Sequence, residues 1–398
     1  MGYGLISLYE GTEKMRELKG ITWGHVRGIN PLEAATKEFE EQNPNIIITW
    51  DSRSLEDFEN YPIEQLANNY DLIMIDHPFI GTGVHESAIE SLDDWIEKDF
   101  LQDQKSNSLG GSFESYTWND KQWALPVDAA SQIAAYRKDL FEKLNIEFVP
   151  STFLEVDDLI DLLPSEYKIG IPLSPTHSFC SFISVAANIN EKDFYNEGVG
   201  FNEDISVKTL SIISKWKKAS HKISIDSNPI NMFDHMAITN EIVYIPFIFG
   251  YSNYGRKNTQ GNLINFLNIP SYSDSESGSI LGGVGIALSA KSNYKSDAIQ
   301  FIKYITSEQC QCGIYTAEDG QPAYKKAWLL DDTNEKTNNF FKDTLQTIEK
   351  SYTRPQFYGF IEFQKQAGEL IHDFLKKDKT SFNSLIKEIN QLYKVSLK

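Results

Sequence analysis

The sequence predicts an α/β protein of two lobes with a ligand cleft between them, and three observations predict it. Near the start, three strand-like runs, residues 20–23, 46–50 and 71–75, alternate with helix-like stretches at 31–42 and 63–69. Each run ends in polar or aromatic residues: Trp23, Gly24, His25 and Arg27; then Asp51, Ser52 and Arg53; then Asp76, His77 and Pro78. Strands and helices in this order, joined by short links, form a parallel sheet with right-handed crossovers. Ligands bind beyond the carboxyl ends of such strands, so the three clusters are expected to converge on one crevice. The third observation is size. With 398 residues and 41% hydrophobic content the chain can bury two cores, which favours two lobes over one large domain.

Composition narrows the partners. A formal net charge of −19 repels phosphate backbones and anionic membranes, so no nucleic acid is expected to bind. Aromatic residues make up 13% of the chain, much of it core, but Tyr and Trp also offer flat faces for stacking on a ligand. Three cysteines, Cys180, Cys310 and Cys312, are too few for a disulfide framework. No apolar run approaches the roughly 20 residues that span a bilayer, so a soluble chain is expected. The short apolar stretch Leu5 to Tyr9 lacks a basic segment before it and a small-residue cleavage site after it, so it does not read as a signal peptide. Two locations stay open: the cytoplasm, or the periplasm or cell surface if an export signal is missing from this sequence.

Taken in order, 31–42 sets Leu32, Ala35 and Phe39 on one helical face. Residues 92–101 carry Trp95, Ile96 and Phe100 at helical spacing, and 102–115, with Gly110 and Gly111, reads as a loop. Asn119 and Asp120 suit the turn of a short hairpin within 116–125. After Pro126, Val127 and Asp128 come a strand at 133–136, Arg137, and a helix through Leu144. A second alternating region follows: a strand at 168–171, a helix starting near 176–178, helices at 206–219 and 231–238, and strands at 242–249 and 263–269. Residues 285–289 read as a strand returning to the first sheet, covered by the helix 295–305. Late helices are expected at 340–348, 360–374 and 382–393, the last with Phe382, Leu385, Ile386, Ile389 and Leu392 in one stripe. The expected division is 1–125 plus 285–322 for one lobe and 126–284 plus 323–398 for the other.

Two lobes joined by crossing segments can rotate about hinges, and a ligand touching both stabilises the closed state. Ligand-binding candidates on the first lobe are Trp23, His25, Arg27, Arg53, Asp76 and His77. An arginine's planar fork holds a carboxylate or vicinal hydroxyls, and tryptophan stacks on a ring face. The plainer reading gives Trp23 and Trp50 to the core and Arg53 to a surface ion pair. Asp128, at the crossing, and Ser178, at a helix start where backbone N–H groups are free, are further candidates; for Ser178 the alternative is an ordinary helix cap. Tyr251 and Tyr254 lie in the glycine-punctuated loop 249–255, with Phe249 expected beneath them. Gly283 permits a close backbone approach, and Arg354, with Tyr358, precedes a late helix, the alternative being a surface arginine there.

No catalytic residue, cofactor or metal is expected. His77 and His85 are separated by a glycine-containing loop, Cys310 and Cys312 form a lone close pair, and Asp274, Glu276 and Gly278 fall short of a calcium loop. The competing reading is an enzyme using Cys180 as nucleophile at a helix start near His177. A cysteine beside Phe179 and Phe182 is more often core.

The chain also resembles a known family. Leu18-Lys19-Gly20-Ile21-Thr22-Trp23, Asn43-Pro44-Asn45 leading into 46–50, and Tyr70-Asp71-Leu72-Ile73-Met74-Ile75 are similar to the first lobe of bacterial extracellular solute-binding proteins of family 1, the maltose-binding-protein-like receptors of ABC importers. Trp123 to Asp128 followed by Ala135 to Phe141 resembles the crossing between lobes, and Gly282 to Ser289 the return crossing. The resemblance implies a type II periplasmic-binding-protein-like fold and capture of a small polar solute, a carbohydrate or related compound, by hinge closure. It implies ABC transporter membrane subunits as further partners of an expected monomer, and a cleft lined by the 249–255 segment. A transporter-independent solute sensor would show the same closure without export.

Overall fold

The computed structural model describes residues 14–257, 261–273 and 279–397. The apolar stretch Leu5 to Tyr9 and the acidic run Asp274, Glu276 and Gly278 lie outside the described residues. The chain begins with three strands, β1 (Arg16–Trp23), β2 (Ile46–Arg53) and β3 (Leu72–Ile75). β1 pairs in parallel with both others, Gly20 lying opposite Trp50 on one side and Leu72 on the other. Two small strands, β4 (Thr117–Trp118) and β5 (Lys121–Gln122), then make the expected hairpin. Asn119 and Asp120 take φ of 50° and 59° at its turn, where short polar side chains tolerate the left-handed conformation.

The long strand β6 (Ala124–Tyr136) follows, then β7 (Lys168–Ile169), a second hairpin β8 (Tyr195–Asn196) and β9 (Gly200–Phe201), and finally β10 (Ile242–Phe249), β11 (Asn265–Leu267) and β12 (Leu281–Leu288). The main sheet runs β2-β1-β3-β12-β6-β10-β7, with β11 also on β6. It is mixed rather than wholly parallel. β12 returns antiparallel to β3, with Gly285 opposite Ile75 and Leu288 opposite Leu72, because it re-enters from the far half of the chain.

Two strands carry the chain across the molecule. The first part of β6 pairs with β12, Ala124 to Ser131 against Ala287 to Leu281, and its last residues pair with β10 and β11. Gly283 sits at this crossing with φ +113°, and a Cβ there would lie 2.3 Å from the Asp128 carbonyl oxygen. Only glycine fits both the backbone conformation and the approach.

The apolar side chains collect on either side of these strands. One core joins Leu18, Leu32, Phe39, Met74 and Val127 to Val284, Ile286, Phe301 and Ile305. Another joins Phe153, Phe179, Phe182, Trp216 and Phe247 to Phe360, Phe363, Ile371, Ile386 and Tyr393. The late helices Phe360–Lys376 and Phe382–Ser396 thus pack on the helix Pro175–Asn190 side of the sheet. Among the described residues no helix is long and apolar enough to cross a membrane.

Several element bounds differ from expectation. The first helix is Val26–Gln42, starting well before Pro31, because the His25 imidazole accepts from the Arg27 backbone N–H and caps it. Residues expected as the loop 102–115 begin inside the helix Lys98–Asn107, whose Leu101 and Gln104 are buried. Helices Leu55–Asn60 and Phe153–Leu162 were not expected.

Candidate ligand-binding site

The helix starting at Val26 brings Arg27 into its first turn, directly after β1, and aims the side chain at the crossing strand β6. Arg27 Nε donates to Asp128 Oδ2 at 2.8 Å, Nη2 donates to Asp128 Oδ1, and Nη1 donates to the Gly250 carbonyl at 2.7 Å. Its guanidinium lies 4.8 Å from the Tyr251 ring centroid. Both partners of the ion pair are buried. Burial acts against the Arg27 charge, but the Asp128 carboxylate outweighs it and raises the pKa.

A second ion pair, with Arg354 buried and Asp76 half-buried, faces the first. Asp76 ends β3 and caps the short turn His77–Phe79, accepting from the His77 backbone N–H at 2.9 Å. Its other oxygen accepts from Arg354 Nη2 at 2.6 Å, and Arg354 Nη1 donates to Gln364 at 3.0 Å. Burial alone would raise Asp76, yet Arg354 and His77 hold it down to about 2.

Between the pairs lies a cavity of about 60 Å³. Trp23, Phe58, Phe249 and Tyr251 give it aromatic walls, Gly282 and Gly283 give it backbone, and Arg27, Asp76, Arg354, Glu59 and His177 supply the polar groups. His177 is 2% exposed, and neither ring nitrogen has a hydrogen-bond partner; Nε2 lies 3.4 Å from Glu59 without an aligned bond. Arg354 Nε is likewise buried and unpartnered. Burial, helped by Arg354, depresses His177 to about 3, so its ring is neutral. Burial, helped by the Asp76 charge, pushes Glu59 up to about 8.

These shifts set a pH dependence. Glu59 has its ordinary value of 4.5 in the unfolded chain, so between about pH 4.5 and 8 the folded state holds the extra proton and stability falls as pH rises. Asp76 works oppositely: its contribution is present above its ordinary 3.8 and is lost as pH falls toward about 2. Buried His177 opposes this below its ordinary 6.5, where stability rises with pH, so thermal melts from about pH 6.5 to about pH 8 should show a decline in the wild type that is reduced in Glu59→Gln. Equal slopes in both proteins would remove Glu59 as the group responsible.

Of the sequence candidates, Trp23, Arg27, Asp76, Tyr251, Gly283 and Arg354 line the cavity. Asp128 and His25 stand behind them, Asp128 on Arg27 and His25 edge-on to Tyr251 with ring centroids 4.8 Å apart. Arg53 also stands behind the wall, its guanidinium 5.2 Å from the Phe58 ring centroid and Nη2 donating to the Met74 carbonyl at 3.3 Å. The structure does not bring the other three to the cavity. Ser178 is fully buried and its Oγ donates to the Leu173 carbonyl at 2.7 Å, because one residue along a helix turns the side chain away and leaves His177 facing inward. Tyr254 turns its hydroxyl to Asp234 at 2.6 Å and stacks on Phe233. His77 is buried against Tyr116. Tyr358, outside the cleft, stacks on His85 at 3.7 Å. Cys180 is buried at the helix start, and burial pushes its thiol up to about 12, opposite to the lowering that a reactive helix-end thiol needs. All three cysteines are free.

A family model described as bacterial extracellular solute-binding protein matches residues 34–341. The chain belongs to the bacterial extracellular solute-binding proteins. Solved structures similar to this solute-binding protein include maltose-bound MalE3 of T. maritima, 18% identical, with 95% of this chain and 99% of that one covered and a TM-score of 0.82. Another is the ABC substrate-binding protein Lmo0181 of Listeria monocytogenes in complex with cycloalternan, 16% identical over 96% and 99% of the two chains, TM-score 0.80. A solute-binding protein of Thermotoga lettingae with bound α-D-tagatose is 16% identical over 96% and 100%, TM-score 0.80. This solute-binding protein has the two-lobe α/β fold of those structures.

Proposed function

We propose that the protein captures a neutral polyhydroxylated solute, a sugar or polyol, by closing two lobes on it, and delivers it to the membrane subunits of an ABC importer. The observation that carries this is the unpartnered His177 ring and Arg354 Nε at the wall of an aromatic cavity whose charges cancel. Buried polar groups demand hydrogen-bond partners, and ligand hydroxyls both donate and accept. Arg27 is matched by Asp128 and Arg354 by Asp76, while His177 is neutral and Glu59 is held protonated near neutral pH. A charged ligand would find no free counter-charge there. Trp23, Phe58, Phe249 and Tyr251 suit the apolar faces of a sugar ring. The maltose, cycloalternan and tagatose named for the similar structures fit the same chemistry.

The lobes are residues 1–125 plus 285–322 and residues 126–284 plus 323–398, with β6 and β12 as crossing strands. Supporting this division, the core around Phe39 takes in Phe301 and Ile305, while the core around Phe179 takes in Phe363 and Tyr393. Arg354–Asp76 and Arg27–Gly250 then link the lobes. A cavity of about 60 Å³ is far below the roughly 300 Å³ at which small-ligand pockets begin, so the lobes part to admit solute. The protein acts outside the cytoplasm, as a monomeric receptor and not an enzyme. A buried Cys180 thiol with a raised pKa disfavours the nucleophile reading.

A thermal-shift panel of neutral sugars and polyols against their carboxylate counterparts tests this. A true ligand at 100 times its Kd adds about 2.7 kcal/mol of stability. Shifts confined to the carboxylates, or none across the panel, would refute the proposal.

A further inference from the structure

We propose a second site, for a transition-metal ion such as Zn²⁺, formed by His221, His235 and Glu241 on the edge of the sheet away from the solute cavity. One ligand atom from each of the three residues lies within 4.8 Å of the others. Both imidazole Nε2 atoms converge on a single carboxylate oxygen, Glu241 Oε2, at 3.4 Å from His221 and 2.9 Å from His235. The two rings lie face to face with centroids 4.8 Å apart. Two imidazoles and a carboxylate are a donor set suited to zinc, with a fourth position left for water.

The three residues come from different elements, and each backbone is anchored. His221 follows the helix Glu203–Ala219, and its N–H donates to the Ile169 carbonyl on β7 at 2.9 Å. His235 lies in the helix Pro229–Ile238, and its carbonyl accepts from the Thr239 N–H at 3.0 Å. Glu241 precedes β10, and its carbonyl accepts from the Lys168 N–H at 2.7 Å. An ion held here would clip the helix Pro229–Ile238 to the start of β10 and the edge strand β7. The solute cavity lies toward the other end of β10 and touches the start of the same helix at Pro229, about 9 Å along the helix axis from His235.

Ligating imidazoles must be neutral. Lys222 and Lys168 place positive charge near His221. The two lysines repel a cation, and Glu241 is the charge that offsets them. Metal at Nε2 moves the His221 ring proton to Nδ1, where the Ile223 N–H now points from 3.5 Å, a contact at the outer limit of a hydrogen bond that is given up on binding.

The test uses the full chain without a polyhistidine tag and an excess of Ca²⁺ to occupy surface carboxylates. Calorimetry with Zn²⁺ should give one ion per chain, and Co²⁺ in its place should develop the visible absorption of a nitrogen-ligated site. His235→Asn and Glu241→Gln should each weaken Zn²⁺ at least tenfold, with far-UV circular dichroism and the response to solute unchanged. No stoichiometric uptake, or uptake equal in wild type and both variants, would overturn the proposal. Because the readout is metal uptake, it stands or falls apart from the solute assignment.

Discussion

Asp128→Ala should lower the unfolding free energy by about 3 to 5 kcal/mol, the cost of removing one partner from a buried ion pair and leaving the other charge uncompensated. Arg27 would keep only its bond to the Gly250 carbonyl and its place over Tyr251, while its Nε and Nη2 lose their acceptors. Removing both charges is a different matter. Arg27→Met combined with Asp128→Leu leaves no orphaned charge and should recover much of the loss, since buried pairs are often replaceable by packed apolar residues. Urea denaturation of the two single variants and the double variant measures this directly. A loss below 1 kcal/mol for Asp128→Ala would mean that water reaches Arg27 and that the site is not closed as described.

His177→Leu should separate binding from folding. The ring nitrogens make no hydrogen bond within the protein, so an apolar side chain of similar size costs the fold little. A solute that hydrogen-bonds the ring would lose about 1 to 3 kcal/mol, roughly five- to 150-fold in Kd. Arg53→Ala makes the contrast, because Arg53 supports Phe58 from behind rather than lining the cavity. Its effect on solute affinity should be the smaller of the two. The reverse ranking, or a melting temperature in His177→Leu that falls as far as in Asp128→Ala, would assign His177 to the core instead.

Position at strand ends was enough to find Arg27, Asp76 and Tyr251, because a strand that stops on polar or aromatic residues delivers them to the sheet's end whatever follows. The same logic could not choose between His177 and Ser178. Adjacent helix positions point about 100° apart, and only the packing of the helix Pro175–Asn190 against Phe360–Lys376 decides which one faces the cavity. Glu59 was hidden because the helix Leu55–Asn60 is only six residues long and acidic, with Leu55 and Phe58 its only apolar residues, too short a pattern to mark a helix. Phe153–Leu162 was legible in principle: Thr152 and Glu155 form a capping box, a signal written in the sequence three residues apart. Pro31 misled for a physical reason. Proline favours the first turn of a helix, but here an imidazole cap at His25 starts the helix earlier and the proline is absorbed within it. His221, His235 and Glu241 could not be joined from sequence, since the turns between them and the pairing of β10 with β7 set their distances.

The most direct measurement is a calorimetric titration of the purified protein, and of His177→Leu, with neutral sugars and polyols alongside the matching sugar acids. A cleft built for neutral hydroxylated solutes should give saturable one-to-one binding of at least one neutral compound, weaker in His177→Leu, with the corresponding acid bound more weakly still. Tight binding of the acid in preference to its neutral counterpart, or identical affinities in the two proteins, would contradict it.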